Sequence, residues 1–432
     1  MYAGLAGFYV LRDEVDTGEP GNELNLPTYP YEAAFAIQDR MFKENGELFY
    51  PAFQGDPAYE DFITNEGAEW NGEEPTALAE FFGNYMVVNG KIWPKMAVDR
   101  RMYRLRLLNG CDSRFLVLEF YKVTQDTKSW TNGERVPFDV IGSDQGIGPP
   151  KGLEQLVMGT GSRYDILLDF SGFTDENVRI IMVNRGGDEP FGGDIPGPSA
   201  FDFTDRIMAF DVVGPPEDYP TSPDYNTMLT MGVSLPVPTN VRRLGLFEGR
   251  DEHGRLQPLL GTLEGPNPGT RTWDEEPITE QVKKDEVEEW QIFNFSGDAH
   301  PIHLHLVHFE ITGRYRIPKQ NVFAEERLQV QYNGENGVGY DVHFVEGQDY
   351  MGEQVDPNEG QPGPYAEAGF RKDIVIALPD QITTIVAKFD KPGRYVWHCV
   401  STSIVGGQCR ADSVLQVVAH SFKLLVPALL QQ

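Results

Sequence analysis

Cysteine is nearly missing from this chain of 432 residues. Only three occur, Cys111, Cys399 and Cys409, which rules out a disulfide framework and leaves the redox compartment open; Cys111 reads as a small buried hydrophobe. No run approaches the roughly 18 apolar residues of a membrane-spanning helix. The first residues lack the basic-then-apolar pattern of a secretory leader, so localisation stays open: secreted or cell-surface if a leader lies upstream, cytoplasmic otherwise. Positive charge is scarce too. Acidic residues outnumber basic ones 66 to 36, a formal net charge of −30, and the basic ones are more often Arg than Lys. That balance argues against nucleic acid and against anionic membrane surfaces as partners, and a surface so acidic is expected of a halophile-like protein kept soluble in concentrated salt. Sustained helical periodicity is scarce as well.

What is present is strand-like alternation bounded by Gly, Pro and Asp, the pattern of all-β sandwich domains. A weak internal repeat implies two copies. Tyr103–Asn109 parallels Trp290–Phe295, Leu156–Phe170 parallels Ile374–Phe389, and Asn177–Asn184 parallels Gly393–Cys399. A proline-rich segment beginning Gly214-Pro-Pro separates the copies and reads as a linker over 215–235. The stretch Asn333 to Gln361, acidic and glycine-rich, is expected to be a loop.

Histidine is concentrated rather than abundant. Of eight in the chain, four fall within nine residues, at His300, His303, His305 and His308, and Trp397-His398-Cys399 adds a thiolate beside another imidazole. This mixture of donors suits copper above magnesium or calcium. On a strand successive side chains point to opposite faces. His303 and His305 therefore face one way, whereas His398 and Cys399 face opposite ways and serve different metals. His308, His253, His343 and His420 fall outside this pattern and are assigned to surface or local packing.

His-Pro-x-His-x-His followed about a hundred residues later by Tyr-Val-Trp-His-Cys resembles the last domain of a multicopper oxidase of the laccase, bilirubin oxidase and spore-coat laccase branch. Met1–Tyr9, Val88-Asn-Gly-Lys-Ile-Trp93 and Gly369-Phe-Arg-Lys-Asp373 extend the resemblance over residues 1 to about 399. It implies tandem cupredoxin-like Greek-key β-sandwich domains: a remnant tail of a first domain at 1–26, a middle domain without copper ligands at 27–214, the linker, a C-terminal domain with partial copper sites at 236–418 and an unpatterned tail at 419–432. In the middle domain Met182, Val183 and Asn184 stand where the last has Trp397, His398 and Cys399. Carried over residue by residue, His300 and Cys399 are similar to type 1 copper ligands, His303 to a type 2 ligand, and His305 and His398 to type 3 ligands. The implied activity is one-electron oxidation of a small-molecule reductant (phenols, aromatic amines, bilirubin-like pigments or metal ions) coupled to O2 reduction. Oligomeric state is open.

The departures matter as much. Where the family pattern continues His-Cys-His-x-x-x-His-x-x-x-x-Met, this chain has Val400, Ile404 and Cys409, of which only Cys409 could still bind copper. The family's two His-x-His pairs would lie upstream of Met1. The resemblance thus implies partial sites and a chain inactive by itself, and a frameshift near codon 400 within a longer ancestral frame would explain both losses. A non-enzymatic copper-binding cupredoxin scaffold is the alternative; a two-domain copper nitrite reductase is disfavoured because it would need a complete type 1 site.

Overall fold

The computed structural model describes residues 2–400, apart from single positions and short stretches of which 57–79, 272–277 and 357–366 are the longest, together with the strand Asp412–Val418. The described residues are 51% strand and 2% helix, which settles the all-β expectation. Its strands form two sandwiches, each of two sheets.

The internal repeat is a repeat of topology. In the first sandwich Glu32–Phe42 runs parallel to Met102–Asn109, whose other edge pairs antiparallel with Arg163–Asp169. In the second, Asn240–Arg250 runs parallel to Val287–Asn294, which pairs antiparallel with Gln381–Lys388. The facing sheets repeat as well. Arg206–Pro216 lies parallel to Lys95–Arg100, and Asp412–Val418 parallel to Glu280–Lys283. Even a side-chain role recurs: Asn109 Nδ2 donates to the carbonyls of Arg114 and Met158, and Asn294 Nδ2 to those of Asp298 and Ala377.

Alternation explains how each strand divides its faces. Along Met102–Asn109, Tyr103, Leu105 and Leu107 enter the core with Phe120, Phe138, Ile166 and Phe210. Arg104 and Arg106 point the other way into carboxylates from three segments. Arg104 is fully buried and forks onto Asp16 at 2.7 Å through both terminal nitrogens, while contacting Asp165 and, at 3.9 Å, Glu32. Asp16 belongs to the segment before the first strand, so this ion cluster, with Leu24 and Leu26 packed on Ile141 and Leu167, fastens residues 12–26 to the first sandwich.

Two stretches differ from expectation. The proline-rich span is partly structured: the preceding strand continues to Pro216, and Tyr225–Leu229 forms a helix capped by the Asp224 side chain, with Met228 buried against Leu24 and Ile141. The supposed loop from Asn333 contains a nine-residue strand, Asn336–Phe344, paired with Val322–Val330. Val338, Tyr340, Val342 and Phe344 alternate along it, but Gly337 and Gly339 beside them gave the segment a loop-like composition that hid the strand.

The sandwiches dock along the strand Ile374–Ala377. Phe115 and Phe191 of the first sandwich stack at 4.9 Å and pack with Ala299, Ile376 and Leu378 of the second. Backbone bonds cross the junction from Ala299 N to the Phe191 carbonyl at 2.8 Å and from Gln145 N to the Arg371 carbonyl at 3.2 Å. Cys111 is buried without a disulfide, as is Cys399. No helix among the described residues is long and apolar enough to cross a membrane.

Candidate metal centre

Three neighbouring strands build the site: His300–Leu304 lies between Ile374–Ala377 and Gly393–Cys399, antiparallel to both. Register brings the histidines together, since His303 lies opposite His398 and Ile302 opposite Cys399. Along Gly393–Cys399, Tyr395, Trp397 and Cys399 are buried while Val396 and His398 are half-buried. Trp397 fixes that assignment, being fully buried, edge-on to Trp290 at 5.9 Å and donating Nε1–H to Glu280 at 2.8 Å. Turning the strand over would expose this ring and bury an imidazole in its place.

On one face His303, His305 and His398 converge, each offering a ring nitrogen within 4.8 Å of the others. Their ring centroids are 4.6, 5.4 and 5.1 Å apart. The hydrogen-bond network assigns the tautomers. His303 Nδ1 lies 2.8 Å from the Asp373 carbonyl and His398 Nδ1 lies 2.9 Å from the Cys399 carbonyl. A carbonyl only accepts, so both Nδ1 atoms carry the proton and both Nε2 atoms present a lone pair, the arrangement in which an outer partner orients a metal-binding imidazole. His398 Nε2 sits 3.0 Å from His305 Nε2.

On the opposite face His300 Nδ1 lies 3.7 Å from Cys399 Sγ. Ligand bonds near 2.0 Å to nitrogen and 2.3 Å to sulfur would let one ion bridge that distance. His300 Nε2 is 2.6 Å from Ser296 Oγ, which donates to Asn294 Oδ1 at 2.7 Å. Ser296 therefore accepts from Nε2–H and leaves the Nδ1 lone pair facing the sulfur. Burial pushes the His300 imidazole down to about 4, and burial followed by the neighbouring His303 and His398 pushes His305 to about 4. Burial also lowers His303, although Asp373 opposes it. Neutral imidazole is the metal-binding form, and these pockets favour it. The donors fit copper: a thiolate with an imidazole on one side, imidazoles alone on the other.

The structure thus assembles all five residues expected from the motifs, His300 with Cys399 and His303 with His305 and His398. Val400 is half-buried behind them, its amide donating to the Pro301 carbonyl at 2.8 Å, and it carries no donor. Ile404 and Cys409 lie outside the described residues, as do His253 and His420. His308 stands apart from both sets, lowered by burial and by Arg371, and His343 pairs with Glu325 at 3.1 Å.

Sequence reasoning missed the acidic surroundings of His300. Glu248 Oε1 lies 3.7 Å from His300 Nε2. Burial and then Asp298 push the Glu248 carboxyl up to about 7, burial raises Asp298 itself, and burial also raises Glu80, which feels both. It also missed the ion pairs behind His303. Arg163 forks onto Asp373 with both contacts at 2.7 Å, and Lys372 is buried against Asp144 at 2.9 Å. Such pairings depend on docking between sandwiches and leave no local signal.

Residues 255–411 match the family model described as multicopper oxidase. The laccase of Bacillus subtilis is 31% identical over 404 residues, covering 92% of this chain and 64% of the relative. A laccase of Haloferax volcanii is 26% identical over 414 residues, covering 92% and 54%. Among solved structures, a variant of the McoA multicopper oxidase of Aquifex aeolicus superimposes with a TM-score of 0.59 at 20% identity, covering 96% of this chain and 72% of that one. The chain spans a little under two thirds of the length of the Bacillus laccase it matches. The family model, the similar laccases and the solved structures all indicate a multicopper oxidase.

Proposed function

We propose that this chain carries the copper-holding part of a laccase-like oxidoreductase, which takes electrons one at a time from a small reductant such as a phenol, an aromatic amine, a bilirubin-like pigment or a metal ion, and delivers them to O2. The observation that carries the reading is that two donor sets occupy opposite faces of one strand and are joined by a single peptide bond, His398–Cys399. His300 and Cys399 would hold the type 1 copper, His303 the type 2 copper, and His305 and His398 the type 3 coppers. Copper bound at these residues supplies one-electron redox chemistry that no side chain here could supply alone.

The chain's own residues prepare those positions. Ser296 and Asn294 fix the His300 ring with Nδ1 toward Cys399. The Asp373 and Cys399 carbonyls hold the Nδ1 protons of His303 and His398, so both Nε2 atoms face the cluster. Trp290, Trp397 and Phe389 pack the core beneath Cys399 and keep water from the sulfur. Within this reading residues 27–214 act as the ligand-free middle domain and 236–418 as the copper-binding one.

Copper titration of the metal-free chain tests the proposal. Binding should divide into a Cys399-dependent component and one that needs His303, His305 and His398. A chain that binds no copper, or binds it equally after all three histidines become alanine, contradicts the reading.

A further inference from the structure

The first sandwich contributes none of the five donors, yet it reaches the three-imidazole cluster through one cation. Arg163 opens the strand Arg163–Asp169 and crosses to the second sandwich, where its Nη1 and Nη2 donate to Asp373 Oδ1 and Oδ2, each at 2.7 Å. Gln145 of the same sandwich also donates to Oδ2. Asp144 reinforces the crossing: its Oδ1 accepts from Arg163 N at 2.9 Å, and its Oδ2 faces Lys372 Nζ at 2.9 Å and accepts from Ile374 N at 3.2 Å. Both oxygens of Asp373 are thereby occupied.

That occupation matters because His303 has two acceptors within reach in a single residue. Its Nδ1 is 2.8 Å from the Asp373 carbonyl and 3.7 Å from Asp373 Oδ1. A charged carboxylate is the stronger acceptor. If it were free it would draw the Nδ1 proton toward itself and turn the ring away from its present alignment with His305 and His398. We propose that Arg163 is a positioning residue for His303: by holding the Asp373 carboxylate across the sandwich junction, it leaves the carbonyl as the acceptor and keeps His303 Nε2 aimed at His305 and His398. This rests on His303 being a metal ligand, and it gives the ligand-free sandwich a role in assembling the cluster.

The test uses the full chain with Arg163→Leu, Arg163→Lys, Asp373→Asn and the double change Arg163→Leu with Asp373→Asn. Nitrogen-edited NMR of the histidine-labelled, metal-free protein reads the His303 tautomer and its Nδ1 proton; copper(I) competition with a chelator reads affinity at the imidazole cluster. Arg163→Leu should move the Nδ1 proton into a charge-assisted bond with the carboxylate and, by turning Nε2 out of line with His305 and His398, weaken cluster affinity by about 10-fold, the lower end of what disturbing an outer partner of a metal-binding histidine costs. Asp373→Asn alone should leave both readouts near the parent, because the carbonyl remains. The double change should recover most of the lost affinity, since an amide does not compete as a carboxylate does.

A folded Arg163→Leu with parent-like spectrum and affinity overturns the proposal. So does a double variant as weak as the single one, which would make Arg163 merely structural. If Arg163→Leu fails to fold, Arg163→Lys decides: loss of the fork should shift the Nδ1 signal in the same direction, and an unchanged signal overturns the idea. Because the spectra need no metal, a chain that shows the expected Nδ1 response but binds no copper in any form supports the positioning role while contradicting the functional reading.

Discussion

Replacing Arg104 with methionine should destabilise the first sandwich more at neutral pH than in acid. The Arg104 side chain is fully buried, its carboxylate partners Asp16 and Asp165 are 12% and 8% exposed, and a methionine of similar length fills its space. Removing one member of a buried ion pair costs about 3–5 kcal/mol because the partner is left charged without compensation. Here Arg106 still reaches Asp16 and Asp165, each at 3.2 Å, so the lower end applies. About 3 kcal/mol in a domain of this size corresponds to a melting point lower by roughly 6–12 °C. The pH dependence has a defined sign. In the parent, burial alone would raise the Asp16 and Glu32 carboxyls, but the guanidinium groups of Arg104, Arg106 and Arg12 outweigh it and hold both below their ordinary values. Groups depressed in this way contribute stability that is present above pH 4 and lost as pH falls through their folded values. Without Arg104 the carboxylates move up, so mild acid relieves the variant while the parent is still unaffected. Near-UV circular dichroism melts at pH 7 and pH 5 should therefore show a gap that narrows in acid. A variant melting within about 1 °C of the parent at pH 7, or a gap that widens on acidification, refutes the reasoning.

Cys399→Ser should abolish metal binding beside His300 and leave the three-imidazole site intact, while His398→Ala should do the reverse; copper stoichiometry of each variant checks this, and loss of both components together from either change would count against two separate faces. Copper added to the parent should give no intense blue thiolate-to-copper absorption, because Val400 and Ile404 stand where the family pattern has imidazoles; a strong band that depends on Cys399 would contradict that, and its loss in Cys409→Ser would make Cys409 the substitute ligand. The copper-loaded 432-residue chain alone, with five of the expected donors among its described residues, should not consume oxygen with a phenolic reductant in an electrode assay, and turnover at the rate of a complete laccase would disprove it. Gly161→Ala should cost about 1–2 kcal/mol from its left-handed backbone alone (φ +76°), and more because the added carbon would sit 2.9 Å from Ile374 and 3.0 Å from Val400; an unchanged thermal midpoint would show that the junction yields freely.

How much of this could be read in the sequence depends on whether a signal is local. The His300–His308 run and Trp397-His398-Cys399 declare themselves because strand geometry converts a spacing of two into a shared face and a spacing of one into opposite faces, as the burial of Trp397 and Cys399 against His398 bears out. The repeat was legible because the same strands do the same work twice, down to Asn109 and Asn294. By contrast the Asn336–Phe344 strand was hidden by its glycines. Arg163 with Asp373 and Glu248 with Asp298 are brought together only by packing, across separations of 210 and 50 residues in the chain. No periodicity marks such pairs.

The central claim is that one strand separates two metal positions, and crystals of the chain grown metal-free and then soaked in copper test it most directly. Anomalous diffraction at the copper edge should show one peak between His300 and Cys399 and separate density among His303, His305 and His398, on the other side of the Gly393–Cys399 strand. A single peak shared by Cys399 and His398, or copper bound only at surface carboxylates, would contradict the account.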